Sequence, residues 1–146
     1  MLKRLDIINV RNLQRAQMRD LGRVSVFSGP NGSGKTSILE SVHLLGMARS
    51  FRGSSIKSLI THGESACTVY GQLSRGGDHG GSLSLGIQRG LTGEVQIKVA
   101  GQAVKTVAQL VEHLPVQVIN ADSFNLLTGA PGARRQFMDW GVFHVE

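Results

Sequence analysis

The segment "GPNGSGKT", residues 29 to 36, decides the fold because it fits the pattern G-x-x-x-x-G-K-[ST]. A short β-branched and aromatic run, residues 23 to 28 (RVSVFS), precedes it and predicts a strand. Apolar residues recur at helical spacing after it, at Ile38, Leu39, Val42 and Leu45. The sequence therefore predicts a strand, a glycine-rich loop and a helix in that order, which is the arrangement of a phosphate-binding P-loop.

The residue types in this loop each have a chemical reason. Glycines let the backbone turn its N–H groups toward a phosphate, with dihedrals and approaches that a Cβ would block. The helix beginning near Lys35 directs the positive end of its dipole at the same phosphate. We expect Lys35 to reach the β- and γ-phosphates, Thr36 to ligate Mg²⁺ and Ser37 to contact the α-phosphate. The predicted nucleotide-binding residues of this segment are Gly29, Pro30, Asn31, Gly32, Ser33, Gly34, Lys35, Thr36 and Ser37.

Hydrolysis needs a second acid, at the end of an apolar strand, that holds Mg²⁺ through water and positions the attacking water. The nearest match is residues 116 to 122 (VQVINAD), where Gln117 interrupts the apolar run and two residues separate the strand from Asp122. Asp122 is thus a metal candidate beside Thr36, and no complete catalytic set is recognised. An Asn-Lys-x-Asp guanine motif is also absent from the sequence, so GTP specificity is unsupported.

The composition suits one globular domain: 146 residues with 40% apolar residues can bury a core. No apolar run approaches the roughly 18 residues of a membrane span, and the N-terminus lacks the apolar core of a signal peptide, so we expect a cytoplasmic protein. Cys67 is the only cysteine, which excludes an internal disulfide and predicts a small core residue. The five histidines show no metal-ligand spacing.

The net charge of +6 is unevenly distributed. Residues 1 to 60 hold ten Lys and Arg against three acids, whereas residues 61 to 146 hold six against seven. The excess of basic residues lies in the N-terminal part, which indicates either a polyanionic partner, nucleotide or nucleic acid, or a solvated basic face.

Further elements follow from periodicity and turn residues. We expect a strand over residues 2 to 10, and a second over residues 11 to 22, where a short helix is the alternative. The stretches "ACTVYGQL", "SLSLGIQR" and "EVQIKV" are separated by glycine-rich turns and predict an antiparallel meander. A short helix ending at Pro115, a strand over residues 116 to 119 and a C-terminal helix after Pro131 complete the prediction.

Four stretches together, "INVRNL", "GPNGSGKTSILESVHLLGMARSFR", "LITHGE" and "GAPGARRQFMDWGVFH", resemble the N-terminal part of the RecF family, bacterial DNA replication and recombination-repair ATPases related to ABC and SMC ATPases. The resemblance runs from about residue 2 to the last residue. It implies an α/β P-loop NTPase lobe of ABC/SMC type: a mixed sheet, the P-loop helix and the antiparallel meander. Residues 1–146 would be an N-terminal ATP-binding lobe, truncated before the signature motif, the Walker B acid and the switch histidine.

The resemblance also implies a function. RecF proteins bind ATP with Mg²⁺, form an ATP-dependent homodimer, bind DNA at single-strand gaps and duplex junctions, and act with RecR and RecO to load recombinase. This activity belongs to DNA repair after DNA damage, the SOS response and the restart of DNA replication. Since the ATP of the family is enclosed between two subunits, this chain alone is expected to bind ATP without efficient hydrolysis.

Several residues acquire roles only through this resemblance. Arg11 and Asn12 match an element that lies beside the nucleotide in related repair ATPases, so Arg11 is either a phosphate contact or an exposed strand arginine. Arg49 and Arg52 are either phosphate contacts, from DNA or nucleotide, or members of surface ion pairs. Asn120 or Asp122 falls near the place of a metal-linked glutamine in ABC ATPases. Arg134 and Arg135 are either DNA contacts or a solvated helix face.

Two other functions stay open at this point. One is a self-contained small P-loop phosphotransferase that uses Asp122, and the other is a non-catalytic DNA-binding module based on the basic N-terminal part. We further expect exposed apolar surface, with Phe137, Trp140 and Phe143 as candidates, and hence poor solubility or association.

Overall fold

The computed structural model of the chain describes residues 1–74 and 81–143, with six side chains in the C-terminal helices outside that description, those of Asp122, Asn125, Leu127, Ala133, Trp140 and Phe143. The strands are β1 (Leu2–Val10), β2 (Leu13–Met18), β3 (Ala66–Ser74), β4 (Ser82–Gly90), β5 (Val95–Val99) and β6 (Gln102–Val104). The helices are α1 (Lys35–Met47), α2 (Ile56–Leu59), α3 (Ala108–His113), a 3-10 turn (Ala121–Phe124), α4 (Asn125–Thr128) and α5 (Pro131–Phe143).

The six strands form one sheet in the order β2-β1-β3-β4-β5-β6, with every neighbouring pair antiparallel. The predicted meander is confirmed as β3, β4 and β5, and the strand prediction for residues 11 to 22 is confirmed as β2. The short strand β6 was not predicted. The glycine-rich tip of the meander falls at residues 75–80, outside the described residues.

The core lies on one face of this sheet, because strand side chains alternate between the two faces. In β3 the buried residues are every second one, including Cys67 and Val69. β1 contributes Leu5 and Ile7 to the same core. Burial of Cys67 confirms its prediction as a small core residue, and burial raises the pKa of its thiol to about 11.

Helix α1 packs across this face and confirms the predicted P-loop helix. Leu44 and Leu45 are fully buried, and Gly71 of β3 leaves the space that the side chain of Leu45 occupies. Leu39, which shares the apolar periodicity, is 52% exposed. Leu39 therefore lies on a side of the helix that the sheet does not cover.

Two predicted strands are wrong, residues 23 to 28 and residues 116 to 119. Both segments lie outside any strand pairing within the described chain, and Val24, Val26 and Ile119 are 83%, 85% and 87% exposed. An extended segment becomes a strand only where a neighbouring strand accepts its backbone hydrogen bonds. The prediction of a mixed sheet is also wrong for the described residues. Since these two segments do not join the sheet, all of its strand pairs are antiparallel.

Two further helices were predicted from the sequence, whereas α2, the 3-10 turn and α4 were not. The predicted helix before Pro115 is α3, and its Leu110 is fully buried in the core. The predicted C-terminal helix is α5. None of the helices in residues 1–74 and 81–143 has the length and apolar character needed to cross a membrane.

Candidate functional site

The loop of residues 29 to 36 joins the extended segment before it to the first turn of α1. Gly32 and Gly34 have φ angles of 81° and 97°, a left-handed conformation that other residues adopt only with strain. A Cβ at Gly34 would lie 2.6 Å from Cδ2 of Leu13, the first residue of β2. Glycine is therefore required at position 34 both by the backbone and by the packing of this neighbouring strand.

Lys35 folds back over the loop. Its Nζ donates hydrogen bonds to the carbonyl oxygens of Gly29 and Pro30, each at 2.8 Å. Thr36 is exposed in the first turn of α1. An ammonium group held by two loop carbonyls and a neighbouring free hydroxyl fit the phosphates and the metal ion of a nucleotide, respectively.

Asn12 connects the loop to the sheet. Its Nδ2 donates to the carbonyl oxygen of Gly32 at 2.8 Å, and its Oδ1 accepts a hydrogen bond from Oγ of Ser37, also at 2.8 Å. One side chain thus holds both the loop and the first turn of α1. Ser37 is buried with its hydroxyl on Asn12, so its predicted contact with the α-phosphate stays a prediction.

Arg11 is paired with a residue that the sequence analysis did not identify, Glu40 in the middle of α1. Nε and Nη2 of Arg11 donate to the two carboxylate oxygens at 2.9 and 2.7 Å, and Nη1 donates to the carbonyl oxygen of Ser58. The expectation of an exposed strand arginine is wrong, because 19% of this side chain is exposed. Its phosphate contact stays a prediction.

The carboxylate of Glu40 has no solvent exposure and is shared by several donors. Oγ of Ser50 donates to it, and Nη1 of Arg52 lies 3.7 Å from Oε2. Burial raises the pKa of Glu40, but the hydrogen bonds from Arg11 and Ser50 outweigh it, so the net shift is downward. For Arg52, the ion-pair alternative is the one that the structure supports.

An acidic residue within the apolar stripe of a helix was the available signal for Glu40. A charged side chain is almost never fully buried unless it is paired, so a glutamate between Ser37 and Leu44 on the sheet side of α1 requires a cation from elsewhere. The sequence does not identify that cation, since Arg11 lies 29 positions away.

The second-acid candidates lie after the extended segment 116–119. Asn120 is exposed, and its backbone N–H donates to Oγ of Ser123 at 3.0 Å. The side chain of Asp122 lies outside the described residues, so its metal role stays a prediction. No group of three or more His, Cys, Asp or Glu suited to a metal occurs among the residues described.

The arginines of α5 differ from each other. Nη1 of Arg134 donates to the carbonyl oxygen of Gly129 at 3.0 Å, which ties the start of α5 to the turn after α4. Arg135 is exposed. Arg134 therefore has a local structural contact, and the DNA-contact prediction for both residues stays a prediction.

Comparison with known proteins places this geometry in context. Residues 1–125 match the family model described as the RecF/RecN/SMC N terminal domain. Among curated proteins, the DNA replication and repair protein RecF of Stutzerimonas stutzeri is 51% identical over 145 residues, and that of Azotobacter vinelandii is 52% identical. Each alignment covers 99% of this chain and 39% of the relative, so the chain spans about two fifths of their length.

Solved structures of RecF are similar to this chain as well. Compared with the structure of the recombination mediator protein RecF with ATP, this chain gives a TM-score of 0.85 and 26% identity, over 99% of this chain and 38% of the RecF chain. RecF with ATPγS has a TM-score of 0.86 and 27% identity, over 100% and 39%. An SMC ATPase structure, 16% identical with a TM-score of 0.73 over 95% of this chain and 98% of its own, has the same fold. The fold class predicted from the sequence, a P-loop lobe of ABC/SMC type, is confirmed.

Proposed function

Because the chain belongs to the family of RecF/RecN/SMC N-terminal domains, we propose that it is the ATP-binding lobe of a RecF-type DNA replication and repair protein. The observation that carries the proposal is the loop of residues 29 to 36, in which left-handed glycines and the position of Lys35 form a phosphate cradle. Similarity to RecF structures containing ATP and ATPγS supports the choice of ligand.

The residues of the loop would act together in this proposal. Lys35 exchanges the carbonyl oxygens of Gly29 and Pro30 for β- and γ-phosphate oxygens, which are better acceptors because they are charged. The hydroxyl of Thr36 ligates Mg²⁺, and the N–H groups at the start of α1 face the phosphates. Magnesium supplies charge neutralisation between the phosphates when it is bound.

Asn12 and Arg11 support this cradle from outside. Asn12 keeps the loop and the first turn of α1 at a constant separation through its contacts with Gly32 and Ser37. Arg11 holds the middle of the same helix through Glu40. Both residues come from the turn between β1 and β2, so the sheet acts as the rigid support for the loop.

The proposal includes the larger protein of the family. Residues 1–146 would form its N-terminal ATP-binding lobe, and the exposed segments 23–28 and 116–119 would receive strand neighbours from the rest of the protein. The relatives extend well beyond the matched part, which supports this division. The activity proposed for the whole is ATP-dependent homodimerisation on DNA at gaps and junctions, with RecR and RecO, in the cytoplasm after DNA damage and in the SOS response.

The test is ATP binding by this chain, measured by titration calorimetry with Mg²⁺. We expect saturable binding that Lys35→Ala weakens at least about tenfold, because a charge-assisted contact is lost. Lys57→Ala is the matched control, since Lys57 is an exposed lysine of the short helix α2 and should leave the affinity unchanged.

The rate of ATP hydrolysis distinguishes the proposed ATP-binding lobe from the alternative, a self-contained phosphotransferase. We expect efficient ATP hydrolysis to be absent from this chain, because no complete second-acid pattern is present in its sequence. Equal ATP affinity in wild type and Lys35→Ala contradicts the proposal. Turnover that disappears in Asp122→Asn would instead support a self-contained phosphotransferase.

A further inference from the structure

A cavity of about 360 Å³ lies at the C-terminal end of α1, between the loop that follows this helix and strand β4. Its polar lining includes Arg49, Arg89 and the serines at positions 50, 54 and 55. No residue of the phosphate-binding loop at 29 to 36 contributes to it. The cavity is therefore separate from the proposed ATP site.

Arg89, which lines this cavity, has a buried donor that is unsatisfied among the described residues. Its Nη1 donates to the carbonyl oxygen of Ala48 at 2.7 Å, which fixes the guanidinium at the end of α1. Its Nε is buried and has no hydrogen-bond partner within the described part of the chain. A buried N–H without an acceptor is destabilising, and a ligand oxygen that reached it would remove that cost.

Arg49, in the loop after α1, is a second arginine in the lining of the cavity. Its backbone is held in place, because its carbonyl oxygen lies 2.7 Å from Nδ1 of His43. Since a carbonyl oxygen can only accept, Nδ1 of His43 is the donor, and burial lowers the pKa of this imidazole. The guanidinium itself has no hydrogen bond or ion pair among the residues described, and the residue is exposed.

The charges around the cavity are not balanced. No acidic side chain lines it within residues 1–74 and 81–143, leaving aside that of Asp122, which is not described. The carboxylate bonded to its wall is Glu40, which is already shared by Arg11, Ser50 and Arg52. The guanidinium groups of Arg11 and Arg52 already share this carboxylate, whereas those of Arg49 and Arg89 have no anionic partner among the residues described.

Hydroxyl donors complete the lining. Ser54 and Ser55 border the same cavity, and their hydroxyls make no hydrogen bond with other residues in the described ranges. Paired guanidinium groups with nearby hydroxyls are the donor set that phosphate oxygens accept, because several charge-assisted bonds share one compact anion.

We propose that Arg49, Arg89, Ser54 and Ser55 form a second phosphate-binding site of this protein, distinct from the loop of residues 29 to 36. The guanidinium groups of Arg89 and Arg49 bind the phosphate oxygens, and the two serines donate from the loop. The phosphate has two chemical sources, a free phosphate or nucleotide and the backbone of a nucleic-acid strand. The experiment distinguishes the two.

Binding is measured first with inorganic phosphate, by following the arginine Nε–H resonances of the full chain. We expect a saturable shift of the Arg89 resonance, which is identified by its loss in Arg89→Lys, with sodium chloride of equal ionic strength as the blank. The shift should persist in Lys35→Ala, because that variant disables only the loop at 29 to 36. Persistence in this variant separates the second site from the proposed ATP site.

The variant that tests the site is Arg49→Gln, because the structure gives the side chain of Arg49 no partner among the described residues whose loss would destabilise the fold. We expect it to weaken phosphate binding at Arg89 at least about tenfold. Arg15→Gln removes the same charge from an exposed position of β2 and should leave this binding unchanged. An unmoved Arg89 resonance, or equal weakening in both variants, overturns the proposal.

A short DNA strand then identifies the source of the phosphate. If Arg49→Gln weakens DNA binding more than Arg15→Gln and lowers its salt slope by about 1, the site takes a backbone phosphate of nucleic acid. If phosphate binding depends on Arg49 but DNA binding does not, the site takes free phosphate or a nucleotide. Both results support the second site, and they assign its ligand differently.

Discussion

At the scale of single residues, Glu40 is the point where the segments around the candidate ATP site meet. It joins α1 to Arg11 from the turn after β1, and to Ser50 and Arg52 from the loop after α1. A buried carboxylate of this kind constrains geometry more than it adds stability, because its desolvation offsets much of the attraction. Removing the negative charge of Glu40 while its arginine partners remain should change stability more than the intact ion pair contributes.

We therefore expect Glu40→Gln to lower the free energy of unfolding by about 3 kcal/mol, because Arg11 would stay largely buried without its ion pair. Urea denaturation at neutral pH measures this change. Glu64→Gln is the matched control, since Glu64 is an exposed carboxylate that accepts one hydrogen bond from Asn9, and it should cost less than about 1 kcal/mol.

Comparison of wild type with Glu40→Gln at different pH values also tests whether Glu40 is ionised. The pKa of Glu40 in the folded chain lies below its ordinary value of 4.5, so its contribution is complete above that pH and is lost as the pH falls further. The difference in stability between wild type and Glu40→Gln should narrow from pH 5 toward pH 3. A difference that stays constant over this range contradicts an ionised Glu40.

At the scale of elements, the position of α1 depends on close backbone approach at its C-terminal end. A Cβ at Gly46 would lie 2.6 Å from Cγ2 of Val116 and 2.7 Å from the carbonyl oxygen of Leu114. The segment after α3 can therefore lie against α1 only because position 46 has no side chain. Helix propensity alone would favour alanine over glycine at this position.

Gly46→Ala should consequently destabilise the protein by about 1 to 3 kcal/mol, since the cost of overpacking exceeds the gain in helix propensity. Gly141→Ala in α5 is the matched control, because a Cβ there meets no atom of the described residues within 4 Å. That change should be neutral or stabilise by up to about 1 kcal/mol. Thermal unfolding of both variants measures the contrast, and the same sign in both would contradict the packing argument.

At the scale of the whole molecule, the described chain presents apolar surface on its extended segments and on the C-terminal helices. Val24, Val26 and Ile119 are almost fully exposed, and Met138 is 63% exposed. Phe137 is also exposed, as expected, whereas the side chains of the other two aromatic candidates, Trp140 and Phe143, lie outside the described residues. Apolar patches of this kind favour association.

We expect this chain to self-associate in a concentration-dependent manner, and replacement of both Val24 and Val26 by serine to shift it toward monomer. Unpaired extended backbone next to exposed valines is the physical reason. Sedimentation velocity over a concentration series measures the shift. Leu91→Ser is the control, since Leu91 is an exposed leucine in the turn between β4 and β5. A monomer at all concentrations in the wild type contradicts the prediction.

Local patterns in the sequence determined the glycine loop, the helix that follows it, the meander and the short helix before Pro115, because each depends on residues that are close in the chain. The structure alone decided that residues 23 to 28 and 116 to 119 remain unpaired, since pairing depends on a distant strand. It also decided the partner of Glu40 and the cavity of Arg49 and Arg89. These contacts join residues far apart in sequence, and their geometry exists only after the sheet has brought them together.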